Sequence, residues 1–458
     1  MPRFWIVTAL AFAAGALHLA SCRTPATFQC QADAQCDNGV CAEGGFCGFP
    51  DDDCPSGVRY GEFATDDLAG TCTPPVVGTT TDVAASGEDE GPRRDTTSDG
   101  DATTFAVDDS TESESTESTL PPPCEQWWDT AWPSRRALTA DAPALRETVS
   151  NFPVPVRLGE DIVVGSASEV VFVGDRCTVI PHEIETSMRG GALIAWVRFP
   201  AVGPDAAPIH VYYGNRDDPD PLNSTAVWDL DFAGVWHLAG GGNSVSTRHE
   251  LLTPQLGAVG GPLGDAVFFD GVDDTTQASA STLAASTATA VSISLWARFD
   301  GLATPATKRI VDKADALDAT LGFSLSVVQS TDLSVEISFD RGRAMGEFAV
   351  RTVDAPIEIG AWHHIAAAHE SDADMATITV DGTPLQTTLL AAGLGEPASD
   401  DDVPLTIGST PYATNRFFPG AIDDVRLSVV ARPASWFLAE YLAGTGALLT
   451  VGDAEASP

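Results

Sequence analysis

The chain has little positive charge. Its 458 residues include 24 Lys and Arg against 65 Asp and Glu, a net charge of −41. Such a polyanion has nothing with which to follow a phosphate backbone, so nucleic acid is excluded as a partner. The same charge keeps an exposed surface hydrated. It also supplies many hard oxygen ligands, which makes calcium the metal to expect. Long helical periodicity is absent. Beyond the N-terminal segment no apolar run reaches membrane-spanning length.

What is present begins at the N-terminus. Arg3 precedes "FWIVTALAFAAGAL", an apolar run too short to span a bilayer comfortably and suited to a signal-peptide core. Leu19, Ala20, Ser21 and Cys22 follow, and this run resembles the lipobox of bacterial lipoproteins. The resemblance implies cleavage after Ser21, at the end of a 1–21 signal peptide, and acylation of Cys22. The alternative is ordinary secretory cleavage near Ser21, with Cys22 free or paired. The lipobox makes the cysteine arithmetic work: of nine cysteines, eight remain for disulfides once Cys22 is the anchor. Two or more acyl chains anchor stably where one does not. Arg23 is not the aspartate that retains such lipoproteins at the inner membrane. The resemblance therefore implies the outer membrane or cell surface of a Gram-negative bacterium.

Residues 22–73 read as a disulfide module with Cys30, Cys36, Cys41, Cys47, Cys54 and Cys72. Large apolar residues are few there, so crosslinks must replace a core. Six cysteines allow fifteen pairings, and their order does not choose one. A zinc reading is weak, because the module has no Cys-x-x-Cys pair and no histidine. The module resembles small cysteine-rich modules of bacterial surface lipoproteins. Residues 74–123 are Thr, Ser, Asp and Glu with almost no aliphatic side chains, the composition of a disordered, extended stalk.

From Cys124 the texture becomes that of strands. "NFPVPVRL", "SEVVFVG", "ALIAWVRFP" and "IHVYYGN" are short, rich in β-branched and aromatic residues, and bounded by Gly, Pro and Asp. With "WWDTAWPSRRALT", "IPHEIE" and "VWDLDFAGVWHL" they resemble a bacterial domain family of unknown function, which implies a β-sandwich over 124–230. Cys124 and Cys177 are the two cysteines outside the module and the anchor, and they are expected to pair. From 231 to 445 more strands recur. In "VSISLWARF", Val291, Ile293, Leu295, Ala297 and Phe299 alternate with Ser292, Ser294, Trp296 and Arg298, which reads as a strand with one buried face. "TITVDGTPL" reads as a hairpin turning at Asp381-Gly382. "FFDGVDD", "SISLWARF", "GAWHHIAAAHE", "TVDGTPL", "LTIGS" and "PGAIDDVRLSVVARPASW" resemble the laminin-G-like, concanavalin A-like lectin/glucanase superfamily. The fold class is all-β, with two sandwiches of jelly-roll type, and residues 446–458 are left as a tail.

Several residues are candidates for chemistry. Retaining glycosidases of this superfamily carry Glu-x-Asp-x-x-Glu on one strand, and the pattern is absent here. Its nearest approach, Glu183 and Glu185, lacks the partner aspartate and third glutamate and reads as a solvated strand face. His363 and His364 are adjacent on a strand, so they point to opposite faces and do not converge on an ion. His182 lacks the second histidine of a zinc helix. Calcium candidates are Asp270, Asp273 and Asp274 in one turn and Asp423 and Asp424 in another. The competing reading has Asp270 capping its turn, and Asp423 or Asp424 bonding backbone amides or pairing with Arg426. Tyr412, Asn415 and Arg416 in "GSTPYATNRFFPG" are candidates for sugar contact. Trp196, Trp236, Trp296 and Trp362 read as packing. Together these readings describe a lipid-anchored, non-catalytic binding protein for a polysaccharide or glycoprotein. A structural or protein-interaction module of the envelope is the second reading, and a glycan hydrolase or lyase the third.

Overall fold

The computed structural model describes residues 40–42, 46–50, 58–60, 73 and 127–458, the last with gaps at 160–161, 163–168, 187–192, 216–224, 239–250, 253–255, 279–287, 302–305, 316–320, 331–333, 372, 374, 399, 401–402 and 411–414. Two compact units divide the chain, Met1–Glu112 and Ser113–Pro458.

The described part of the first unit is a three-stranded antiparallel sheet of Val40–Ala42, Phe46–Pro50 and Val58–Tyr60. Phe46 and Tyr60 form its small apolar core, backed by Ala42. So little burial needs crosslinks, and Cys47 is disulfide-bonded, opposite Cys41 in the strand register. Cys22, Cys30, Cys36, Cys54, Cys72 and Cys124 lie outside the described residues, as do the signal sequence and the stalk. Cys177 is disulfide-bonded too.

The second unit holds two sandwiches. In the first, Ser134–Ala140, Ile209–Tyr213 and Val170–Val173 pair in one sheet, and Val149–Leu158, Leu193–Val202 and His182–Thr186 in the other. Pro153 and Pro155 explain why Val149–Leu158 takes an edge: proline cannot donate into a second ladder. Between the sheets, Phe152, Val154, Val156, Phe172, Val197, Phe199 and Val211 are fully buried. The expected tail belongs to this sandwich. Leu449–Val451 and Glu455–Ala456 both pair with Ser134–Ala140 and cover its otherwise open edge. The first strand after residue 231 touches both sandwiches. Phe232–Trp236 hydrogen-bonds to Pro419–Ser428 of the second sandwich, while Phe232 and Val235 pack into the first core.

The second sandwich stacks an eight-stranded sheet on a seven-stranded one. Val291, Ile293, Leu295, Ala297 and Phe299 meet Phe323, Leu325, Ile337 and Phe339 in the core between them. Thr379↔Pro384 and Val380↔Thr383 close the hairpin at Asp381-Gly382, with both turn residues at positive φ (52° and 71°). The strand Ala290–Phe299 differs from expectation, because its second face is covered as well. Ala434–Gly444, the one α-helix among the described residues, lies on that face. The Trp296 ring stacks on Tyr441 at 5.9 Å, and a Cβ at Gly444 would run into the Trp296 indole. On its other side the helix sets Trp436 edge-on to Phe152 at 4.9 Å. Ser292 accepts the Arg432 N–H and donates to the Val430 carbonyl. Ser292, Ser294 and Trp296 of that half are therefore buried, while Arg298 at the strand end stays partly exposed beside Asp300.

Candidate functional site

Strand alternation builds a polar face on the seven-stranded sheet. Phe323, Leu325 and Val327 enter the core, which turns Ser324 and Ser326 outward. Ile337 and Phe339 do the same for Ser338 and Asp340 on the neighbouring strand. Arg309, on Ala306–Asp312, reaches across this face. Its Nη1 donates to Ser324 Oγ (2.5 Å), Ser326 Oγ (2.7 Å) and Asp340 Oδ2 (3.2 Å). Ser324 and Ser338 donate to the two Asp340 oxygens, and Arg309 Nε stands 3.4 Å from Asp312 Oδ1. Burial raises the Asp312 carboxyl to about 6 against the opposing charge of Arg309. Buried charge is tolerated only when paired and hydrogen-bonded in this way.

Above this floor opens a cleft of about 300 Å³, walled by Thr307, Val328, Glu347, Ala349, Arg351, Leu390, Ala391 and Arg416. Charged groups, hydroxyls and small apolar patches face one concavity, as in sites that bind polar small molecules. Of the sugar-contact candidates, Arg416 lines the cleft. The carbonyl of Asn415 accepts from Lys308 Nζ at 3.4 Å. Tyr412 lies outside the described residues. Arg309, Asp340, Glu347 and Arg351 were not singled out from the sequence. Their signal was the Ser and Asp positions of "FSLSV" and "EISFD", which share one non-core face.

The two aspartate groups are separate places, one in the turn after Gly264–Asp270 and the other within the strand Pro419–Ser428. Asp270, Asp273 and Asp274 bring carboxylate oxygens within 4.8 Å of one another, the one such acidic group among the described residues. Asp270 Oδ1 accepts the N–H groups of Val272, Asp273 and Asp274, and Asp274 Oδ2 accepts that of Asp270. Those bonds hold the Asp270 carboxyl below its ordinary range. The donor set is all hard oxygen and suits calcium, although part of each of these two carboxylates is taken up by the turn.

Asp423 and Asp424 do not join that cluster. Asp424 pairs with Arg426 at 2.7 Å and with His237 Nδ1 at 2.9 Å, and Asp423 Oδ2 accepts the Leu263 N–H. Burial, reinforced by Asp424, pushes the Asp423 carboxyl well above the carboxylate range. Burial alone would lower His237, but Asp424 and Glu185 outweigh it and raise the imidazole to about 9. Arg426 also pairs with Glu440 at 3.0 Å and lies over the rings of Trp196 and Trp228. Glu183 and Glu185 correct the expectation of a solvated face. They accept the indole N–H groups of Trp228 (2.7 Å) and Trp196 (3.0 Å) at the same joint between sandwiches. The histidines are partnered separately: His363 with Asp381, His364 with Glu440, and His369 stacked on Phe348. His182 Nδ1 lies 3.2 Å from the Ile180 carbonyl.

Both the stacked sheets and the polar face opposite the core now bear on family. Residues 270–436 match the model of the concanavalin A-like lectin/glucanases superfamily. This superfamily includes both non-catalytic binding domains and glycosidases, so the match fixes fold and leaves activity to the site. No curated protein matches the chain. Among solved structures, domain 4 of AbnA, a GH43 extracellular arabinanase from Geobacillus stearothermophilus, in complex with arabinotriose, is 14% identical, with a TM-score of 0.32 over 45% of this chain and 97% of that one. The binding domain of Paraclostridial Mosquitocidal Protein 1 is 12% identical, at 0.37 over 46% and 52%. Trypanosoma rangeli sialidase is 12% identical, at 0.33 over 46% and 31%.

Proposed function

We propose that the chain is a surface-anchored, non-catalytic glycan-binding lipoprotein whose ligand occupies the cleft on the seven-stranded sheet. One observation carries this reading: a buried polar floor, cross-linked by the hydrogen bonds of Arg309, Asp340 and the serines, lies under an open, mixed-character cleft. The floor fixes geometry in advance, which lowers the entropy lost on binding. Thr307, Glu347 and Arg351 offer hydroxyl, carboxylate and guanidinium partners for sugar hydroxyls, and Ala349, Leu390 and Ala391 offer apolar contact to a ring face. Asp340 is bonded through both oxygens to Arg309, Ser324 and Ser338, which favours positioning over attack on a glycosidic bond. In this reading the lipid on Cys22 and the acidic stalk of residues 74–123 hold the sandwiches away from the membrane.

A glycan array probed with the full chain tests it, once with calcium and once with chelator. Binding that a cleft substitution removes supports the reading, and loss in chelator would assign a supporting calcium ion to the Asp270 turn. A blank array from folded protein would reject glycan binding. A second reading, an interaction module for another protein, draws on the edge strand Thr387–Pro397, where Leu389, Leu390 and Leu394 are exposed. Pull-down of one stoichiometric protein that survives deglycosylation would favour it.

A further inference from the structure

Most sheet edges in the two sandwiches are blunted. Among the described residues, Leu251–Leu252 and Thr383–Pro384 are edge strands of two residues, Gly257–Gly261 is mostly glycine, and Val149–Leu158 carries two prolines. Short strands, glycine and proline keep a sheet from pairing with another chain. Thr387–Pro397, the last strand of the seven-stranded sheet, has none of these protections over its 11 residues except a terminal proline and two glycines near that end. Leu389, Leu390 and Leu394 stand 40%, 52% and 59% exposed on it, and Met345, opposite Leu394, stands 66% exposed. From Gly382 to Gly395 no residue is charged, in a chain where 19% are. A long, apolar, uncharged edge left bare invites aggregation, so it needs a cover.

We infer that this strand is a dimer interface, covered by the same strand of a second copy. Two observations choose a second copy. The first is charge. A twofold contact sets each charge near the axis against its own like, so a chain of net charge −41 meets itself best over an uncharged surface. The second is sequence. Antiparallel pairing about a twofold needs a strand that reads alike in both directions. Leu389-Leu390, then Ala391-Ala392-Gly393, then Leu394 reads large, small, large either way. With the axis beside Ala391 and Ala392, Leu389 and Leu390 of each copy meet Leu394 of the other. The ladder to Val335–Thr352 bulges on either side of Ala391 and Ala392, which keep regular register with Ala349 and Phe348. The backbone contact is therefore short, and the leucines carry most of the association. A strand of this length spans only about 35 Å, at the small end of specific interfaces, so the dimer is reversible. Leu390 and Ala391 also line the cleft. A twofold axis perpendicular to the sheet keeps both clefts on one face, where they can engage one polymer together. That consequence rests on the cleft being the glycan site; the dimer does not.

The test is sedimentation velocity of the full chain over about 1–100 µM, carrying Cys22→Ala so that no acyl chain mediates contact. The expected result is a reversible monomer–dimer equilibrium within that range. It should tighten with salt, as repulsion between two polyanions is screened. Leu394→Glu places a carboxylate from each copy in the contact and should weaken the dimer about tenfold or more. Its melting temperature should be unchanged, because the side chain is exposed. Leu389→Glu is the second variant should the first fold poorly. A monomer throughout the range overturns the inference. So does a dimer that neither substitution weakens. Capture of a foreign protein by a monomer, lost in Leu394→Glu, overturns it in favour of a partner of different sequence.

Discussion

Arg309 and Arg426 are two buried arginines, each set between two carboxylates: Asp312 and Asp340 for one, Asp424 and Glu440 for the other. What covers them differs. Arg426 is roofed by the indoles of Trp196 and Trp228 and lies where two sandwiches and a helix meet. Arg309 is floored by serines and lies beneath an open cleft. The same ionic chemistry therefore serves two ends. Sealed under indoles, it fastens two domains together. Under the cleft, it forms the floor of the proposed site.

That contrast can be broken most forcefully at the sealed end. Arg426→Met leaves Asp424 and Glu440 buried without their cation and should cost about 3–5 kcal/mol, read from urea unfolding of the full chain. A loss near zero would deny the joint a structural role. Next in size is a pH effect confined to the joint. His237 is raised from 6.5 to about 9, so its contribution is complete below pH 6.5 and lost as pH climbs through 9. Asp423 and Glu185 are raised as well, by burial, so their ionisation at higher pH also works against the folded state. Melting temperature should fall between pH 6.5 and about pH 9, the interval bounded by the His237 shift. His237→Gln should flatten that fall, and an unchanged slope would remove His237 from the account.

Smaller effects are expected at the cleft. Arg309→Met should cost about 1–3 kcal/mol, because the Asp340 side chain (12% exposed) can turn toward the cleft once the cation is gone, and Asp312, already raised to about 6 by burial, can take a proton. A loss as large as that of Arg426→Met would mean the two networks are equally sealed. Arg351→Gln should shift stability by no more than about 0.5 kcal/mol. It should still weaken ligand binding, and a large stability loss with intact binding would reverse the roles assigned to floor and rim.

Much of this fold was legible in the sequence. Alternation in "VSISLWARF" and turn chemistry at Asp381-Gly382 specify strand and hairpin by local rules. What covers a sheet's second face is not local. Ser292 and Ser294 look solvent-facing until Arg432 and the helix Ala434–Gly444 close over their face. Glu183 and Glu185 failed for the same reason: their indole partners come from elsewhere, Trp196 on the neighbouring strand and Trp228 just past a 3-10 turn 45 residues away. The tail was missed because Leu449–Val451 is short, and its meaning is an edge more than 300 residues upstream. The cleft was half visible. Arg416 was found by loop composition, while Arg309 and Asp340 became a pair only when two outward faces were joined by register.

The measurement closest to the central claim is a hydrogen-exchange footprint of the full chain, with and without the glycan that the array selects. The account predicts protection over the cleft strands, at 306–312, 323–329, 338–351 and 387–397, with the Arg426 joint unchanged. Protection at the Asp270 turn or the joint, with the cleft strands unaffected, would contradict it.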